Sequence, residues 1–312
     1  MILVTGGSGF IGSHIVKHLV NEGKQVRVLI HNRDRARQEG RLKNLEVEWF
    51  DGDVLRPQTL SRALHHVDAV IHTVAISIEK GSLTFEKVNE QGTVNVVEAA
   101  TAENVKRMIN LSQLGADPSL PYRFMASKGK AQEVVAHSKL DWTAFRPSVV
   151  WGPEDEFANT FARLVPLTPV IFPIIGDEST RFQPIWVGDV AEAIVKSIDD
   201  PKTIGREFEL GGPEILTLEE IERRTLAALN AKRILIRFPL PLLQIIVGMM
   251  ETLLPSPPVT RSLLELLSVS NVTTQNALSE FVSEPRAFIP ENIAPYMKNF
   301  RMKDTLSRYF KR

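Results

Sequence analysis

The 312-residue sequence predicts an α/β fold, a doubly wound parallel sheet with a smaller, mostly helical C-terminal lobe. Three observations predict it. Apolar runs of strand length alternate with helical periods through residue 150, the pattern of successive βαβ units. A glycine-rich turn joins the first run to the first helix. Beyond Trp151 the alternation gives way to a stretch rich in proline and phenylalanine, as expected of segments inserted at the carboxyl ends of strands.

Met1, Ile2, Leu3 and Val4 form an apolar run suited to a strand covered on both faces. Thr5 to Gly12, reading TGGSGFIG, follows with glycines at 6, 9 and 12, and then Ile15, Val16, Leu19 and Val20 recur at helical spacing up to the Gly23 stop. Strand, turn and helix come in the order that a dinucleotide phosphate site needs. Gly6 permits the tight turn, Gly9 lets the backbone approach a pyrophosphate, and Gly12 lets helix and strand pack closely, with helix N–H groups aimed at the phosphates.

Residues 25–30 predict the second strand, and 45–50 the third, which runs into Asp51, Gly52, Asp53 and Val54. Residues 67–75 are the fourth strand, 88–100 a helix, 105–112 the fifth strand, 125–138 a helix and 141–150 the sixth strand. The segment 151–175 begins a substrate lobe. The expected division is therefore a nucleotide-binding domain of 1–150, with 182–200 returning to it, and a lobe of 151–181 and 201–312. Within the latter, Arg206 to Leu210 reads as a short strand, and Thr217 with Glu220 as a capping box opening a helix toward Ala228. Residues 240–254 predict a helix whose only polar stripe is Gln244, Gly248, Glu251 and Thr252, too apolar to stand in solvent. At ~1.5 Å per residue it spans roughly 21 Å, short of a ~30 Å hydrocarbon core. Two readings of 240–267 stay open: Leu263, Leu264, Leu266 and Leu267 cover the helix internally, or the segment meets a protein complex or a membrane face.

Composition bounds the function. At 43% hydrophobic residues the chain can bury a sizeable core. Lys+Arg and Asp+Glu both number 37, so no overall charge draws it to nucleic acid, and no basic, aromatic-interleaved surface is evident. Without cysteine there is no thiolate nucleophile, and redox work needs a borrowed cofactor. The seven histidines show no metal-ligand spacing, and His14 and His18 read as surface residues. The first strand begins at Met1, which points to a cytoplasmic protein, with peripheral membrane association if 240–267 docks there.

TGGSGFIG, the pair Asp53-Val54, VNEQGTVNVVEAA from Val88, FRPSVVWGP from Phe145 and FQPIWVGDVAEAI from Phe182 together resemble the extended and atypical short-chain dehydrogenase/reductases, the NAD-dependent epimerase/dehydratase-like group. Within it, RPSVVWGPEDEFANTFARL, RFQPIWVGDVAEAI and FELGGPEILTLEEI are most similar to the nucleotide-binding accessory subunit of respiratory complex I and its bacterial relatives, with NmrA-like proteins next. The resemblance implies a Rossmann domain. By position it implies that Gly6, Ser8, Gly9, Phe10, Ile11 and Gly12 hold a pyrophosphate, Asp53 and Val54 the adenine, and Thr73, Val74 and Ala75 the ribose side. Lys128 and the loop after Pro147 then meet the nicotinamide ribose and ring. Plainer roles stay open: Asp53 as a cap, Val54 and Val74 as core, Asn89 and Thr93 as a local helix hydrogen bond, and Asp189 as an N-cap.

The second strand ends at Ile30, and His31 stands where an NAD-preferring chain places an aspartate on the ribose hydroxyls. Arg33 follows, and a guanidinium matches a 2′-phosphate bidentately, so the expected cofactor is NADP(H) rather than NAD(H), with a solvated helix start as the plainer account of Arg33. The catalytic positions depart from the family. Gln113 aligns with its serine, and Phe124 with the tyrosine of its Tyr-x-x-x-Lys, while Lys128 is retained. Two functions follow. One is an oxidoreductase or epimerase-like enzyme acting on a carbonyl or quinone-like small molecule through Lys128 and Gln113. The other is a structural or sensory dinucleotide-binding subunit.

Overall fold

The computed structural model describes residues 1–312 except 175–177, 255, 256, 258, 298, 299, 304, 306–308 and 310–312, so Ile175, the end of the expected inserted segment, lies outside the described residues. In chain order the strands are β1 (Ile2–Thr5), β2 (Val26–Ile30), β3 (Glu48–Asp51), β4 (Ala69–His72), β5 (Arg107–Leu111), β6 (Asp141–Pro147), β7 (Val150–Trp151), β8 (Ile171–Ile174), β9 (Arg181–Phe182), β10 (Ile185–Trp186), β11 (Arg206–Leu210), β12 (Leu216–Thr217) and β13 (Ile234–Arg237). The helices are α1 (Phe10–Asn21), α2 (Arg33–Glu39), α3 (Pro57–Leu64), α4 (Gly92–Ala102), α5 (Arg123–Ala136), α6 (Ala158–Leu164), α7 (Val187–Ser197), α8 (Leu218–Ala228), α9 (Leu240–Leu253), α10 (Arg261–Leu267), α11 (Leu278–Phe281) and α12 (Pro290–Ile293).

Contacts divide the chain into two units, and the first comprises Met1–Pro147, Val187–Leu210 and Gln275–Glu284. Its sheet has the order β11-β6-β5-β4-β1-β2-β3, and every pair in it is parallel. The order reverses between β1 and β4, which makes the carboxyl ends of those two strands the topological switch point where open α/β sheets bind ligands. Leu3, Val4, Val70, Ile71, Met108 and Ile109 are fully buried, each contributing about 1.5–3 kcal/mol of hydrophobic stabilisation.

Several strands stop earlier than the apolar pattern suggests. β4 ends at His72, whose partner Thr5 is the last residue of β1, and Thr73, Val74 and Ala75 form a loop instead. β6 ends at Pro147, and Val150–Trp151 pairs with β10 as a separate short strand. The helix expected from 88 opens with a π-helical turn, Glu86–Gln91, before α4. Arg206–Leu210, expected in the lobe, joins the sheet as β11 because Phe208 sits opposite Phe145 and stacks on it at 5.6 Å. Residues 275–284 belong with it, through Ala277 N–H donating to the Glu209 carbonyl and Phe281 packing on both phenylalanines. Asp189 lies inside the first turn of α7 rather than capping it, and His14 and His18 are half-buried rather than on the surface.

The second unit comprises Ser148–Trp186, Gly211–Thr274 and Pro285–Arg312 and is mostly helical. Its core gathers Trp151, Phe161, Phe172, Ile221 and Phe288. The capping box is present, with Thr217 accepting from Glu220 N–H and the Glu220 carboxylate accepting from Thr217 N–H. The internal cover expected for 240–267 forms in part: Leu243 and Val247 of α9 bury against Leu264, while other apolar residues of α9 stand exposed. No helix among the described residues is long and apolar enough to cross a membrane.

Candidate functional site

The glycine turn fits a phosphate cradle because its backbone has no room for side chains. Gly6 has φ +73°, and a Cβ there would stand 2.6 Å from Thr73 Oγ1. One on Gly12 would stand 2.2 Å from the Gly6 carbonyl oxygen. Gly7, to which the sequence pattern assigns no role, is as constrained: its Cβ would meet Val28 Cγ1 at 2.7 Å. Gly9 N–H closes the turn on Gly6 at 2.9 Å and caps α1 with no side-chain hydrogen bond, and the first turn of α1 holds no acid. The N–H groups of Phe10, Ile11 and Gly12 thus open the helix without a capping side chain, the arrangement that suits an anion.

A cavity of about 370 Å³ opens beside this turn. Gly6, Ser8 and Gly9 form one wall and Asp53, Val54, Thr73, Val74 and Ala75 another. His31 also lines it, its Nδ1 3.2 Å from an Asp53 carboxylate oxygen. The other Asp53 oxygen accepts from Leu55 N–H at 2.9 Å, so Asp53 caps a local turn while facing the cavity. Val54 is buried, and its carbonyl is held by Asn95 Nδ2 at 2.8 Å. The Thr73 hydroxyl donates to the Thr5 carbonyl at 2.8 Å, tying the loop after β4 to the end of β1.

Arg33, the expected phosphate ligand, does not line this cavity. Its Nε donates to Asp51 at 2.8 Å and its Nη2 to the Trp49 carbonyl at 3.0 Å, turning the guanidinium onto β3. The arginines that line it are Arg35 and Arg41, bridged by Glu39 at 2.8 and 2.7 Å. Arg41 also donates to the Ser8 carbonyl at 3.0 Å, which anchors it to the glycine turn. Helical spacing on α2 could have favoured Arg35, since Asn32 caps that helix and puts Arg33 in its first position; Arg41 lies beyond the helix and carries no such signal.

Behind the turn runs a buried polar chain. His72 Nδ1 lies 2.7 Å from Thr5 Oγ1, and its Nε2 lies 3.0 Å from Thr93 Oγ1, which in turn donates to the Asn89 carbonyl at 2.7 Å. The expected local Asn89–Thr93 bond is thus made, but the Asn89 side chain does more. It accepts from Ile76 N–H at 2.8 Å and donates to the Ile76 carbonyl and to Ser127 Oγ at 3.1 and 2.9 Å, fixing the loop after β4 against α5. Burial, reinforced by the Lys128 charge, pushes the His72 imidazole down to about 3. Lys128 is itself buried, donates to the Leu111 carbonyl at 2.7 Å, and is pushed down to about 8 by desolvation.

The side chains expected at the catalytic positions are engaged with other protein groups. α5 is regular from Arg123, so Phe124 and Lys128 lie one helical turn apart, and the Phe124 ring packs edge-on against Phe85 at 5.6 Å. Gln113 points its amide at the Met125 sulfur, 3.2 Å away. Its neighbour Ser112, to which the family pattern assigns no role, is buried with an Oγ that meets no partner among the described residues. Pro147, at the end of β6, accepts from Leu114 N–H at 2.9 Å and so stands beside this strand end.

An NAD(P)H-binding family model matches residues 6–201. Among curated proteins, the chain is 27% identical over 284 residues to NADH dehydrogenase (ubiquinone) 1 alpha subcomplex subunit 9, mitochondrial, from Arabidopsis thaliana, covering 89% of this chain and 70% of that one. It is 29% identical over 241 residues to ceramide reductase from Caulobacter vibrioides, covering 77% and 74%. Its fold matches that of the Thermus thermophilus UDP-glucose 4-epimerase in complex with NAD, with a TM-score of 0.71 at 24% identity over 96% of this chain and 98% of that one.

Proposed function

The chain belongs to the NAD(P)H-binding family, as an atypical short-chain dehydrogenase/reductase related to the complex I subunit, and from that premise we propose that it is an NADP(H)-binding protein whose dinucleotide is held without the family's usual proton relay. The observation that carries this reading is the cavity bounded by the glycine turn on one side and by Arg35 and Arg41 on another. Gly6, Ser8, Gly9, Phe10, Ile11 and Gly12 hold the pyrophosphate, Asp53 and Val54 the adenine, and Thr73 to Ala75 the ribose side, with Arg35 and Arg41 taking the 2′-phosphate in place of Arg33. Lys128 and Pro147 serve the nicotinamide end. Phe124 supplies no acid, and the Gln113 amide is engaged with Met125. The A. thaliana relative is by name a subunit of NADH dehydrogenase, and we extend to this chain a docking role for 240–267 on a protein complex or membrane face.

A second reading, a tyrosine-independent reductase of a carbonyl or quinone-like substrate, draws support from Ser112 and Lys128. Bound dinucleotide supplies the hydride; a buried hydroxyl lacking a partner and an ammonium brought into the general acid–base range are groups that could bind and protonate a carbonyl oxygen. Stopped-flow mixing of the NADPH complex with a panel of quinones, aldehydes and enones separates the two. Cofactor that stays reduced against the whole panel agrees with the first reading. Turnover by the parent that Lys128→Ala abolishes even at saturating NADPH agrees with the second.

A further inference from the structure

Glu39, the last residue of α2, stands on the wall of the dinucleotide cavity between two arginines. Its Oε1 accepts from Arg35 Nε at 2.8 Å and its Oε2 from Arg41 Nη1 at 2.7 Å, and all three residues line the cavity. Gly40 follows at φ +65° and ends the helix, so the chain turns and Arg41 returns to the carboxylate. Asp53, also on the lining, contacts His31 and Leu55 N–H instead. Local helix stability does not account for Glu39. A carboxylate in the last turn opposes the helix macrodipole, and Arg35 followed by Glu39 is the weaker order of an i,i+4 pair. What the arrangement does provide is an anion whose two oxygens each hold a different guanidinium, the same two donors that the NADP(H) reading assigns to a 2′-phosphate.

We propose that Glu39 is a specificity-determining residue, a built-in competitor of the 2′-phosphate for Arg35 and Arg41; the inference rests on the NADP(H) reading and names what tunes it. A phosphate monoester carries about 1.5 to 2 negative charges near neutral pH, so it shares these two guanidiniums with a carboxylate only against like-charge repulsion. When a 2′-phosphate settles on them the carboxylate gives them up, and the loss of both ion pairs weakens NADPH binding. A ribose with a free 2′-hydroxyl brings no anion to the arginines, so NADH binds with the pairs intact. Glu39 therefore narrows the preference for NADPH that Arg35 and Arg41 create. The competition is moderate, because the Arg35 side chain is 75% exposed and those of Glu39 and Arg41 are 26% and 21% exposed, and ion pairs so open to solvent are weak.

The test is titration calorimetry of the full chain with NADPH and with NADH. Glu39→Gln, which keeps the side-chain length and removes its charge, should tighten NADPH binding roughly three- to thirtyfold and change NADH binding by less than about twofold. Glu39→Ala should act in the same direction. The gain should depend on the arginines: in a chain carrying both Arg35→Ala and Arg41→Ala, adding Glu39→Gln should leave NADPH affinity within about twofold. Four results would each overturn the proposal. They are NADPH affinity unchanged in both Glu39 variants, an equal gain for NADH, a loss of NADH binding in Glu39→Gln, which makes the carboxylate a ribose ligand, and a gain that survives removal of both arginines, which makes it plain charge repulsion. The parent and the single arginine variants keep the two readings apart. A preference for NADPH that Arg35→Ala and Arg41→Ala narrow but Glu39→Gln does not widen upholds the NADP(H) reading and rejects only this inference. NADPH binding that none of the arginine and Glu39 variants alters rejects both.

Discussion

Lys128 donates its Nζ proton to the Leu111 carbonyl oxygen at 2.7 Å, in a site so buried that the ammonium is held down to about 8. Between that value and the ordinary 10.5, the native chain binds fewer protons at Lys128 than the unfolded chain does. Stability contributed by this residue therefore rises with pH from about 8 to 10.5, by on the order of 3 kcal/mol over the full window. Urea unfolding across that range should show the rise in the parent and lose it in Lys128→Met. The same variant should bind NADPH at least tenfold more weakly.

His72 has the same sign over a lower window. Its imidazole is pushed down to about 3 from 6.5, so the native state again binds fewer protons, and stability is lost as pH falls through that interval. From pH 6.5 to 5 the loss should be about 2 kcal/mol. His72→Gln, which can still reach a threonine hydroxyl but cannot titrate, should show a flatter acid limb in chemical denaturation. An unchanged limb would mean that other groups govern acid unfolding.

Gly12→Ala places a methyl group 2.2 Å from the Gly6 carbonyl oxygen, a backbone atom that cannot swing aside. Overpacking of this kind costs about 1–3 kcal/mol. Thermal unfolding should report that loss, and calorimetry should find NADPH binding gone, since the turn must open to admit the methyl group.

Restoring the missing relay needs two changes. Phe124→Tyr puts a hydroxyl one turn from Lys128, but Gln113 still presents an amide where the family has a serine. The double change with Gln113→Ser should therefore oxidise NADPH against the carbonyl panel faster than either single change, within the 10²–10⁴-fold range of general acid–base help. If Ser112→Ala alone erases activity present in the parent, the buried Ser112 hydroxyl already fills that role.

What is legible in the residues and what is not divides along a physical line. The glycine turn and the parallel alternation are readable because Gly6, Gly12 and the buried runs answer to local backbone geometry and burial on both faces. The place of β11 is not, because what draws Arg206–Leu210 into the sheet is the stacking of Phe208 on Phe145, a contact between residues far apart in the chain. Arg33 escapes a local reading for a related reason: its guanidinium finds Asp51 and the Trp49 carbonyl on a neighbouring strand, whereas Arg41 reaches the cavity through Glu39 and the Ser8 carbonyl. Spacing along a helix reports which residues share a face. It does not report which distant acid claims a long cationic side chain.

The measurement that tests the central claim most directly is titration calorimetry of the full chain with NADPH and with NADH, in the parent and in Arg33→Ala, Arg35→Ala and Arg41→Ala. A buried or well-placed guanidinium–phosphate pair is worth about 1.5–3 kcal/mol, roughly 10–150-fold in affinity. The parent should bind NADPH more tightly than NADH by a factor in that range, Arg35→Ala and Arg41→Ala should each narrow the gap, and Arg33→Ala should leave it unchanged. Equal affinities in the parent, or a preference that only Arg33→Ala removes, would contradict the account.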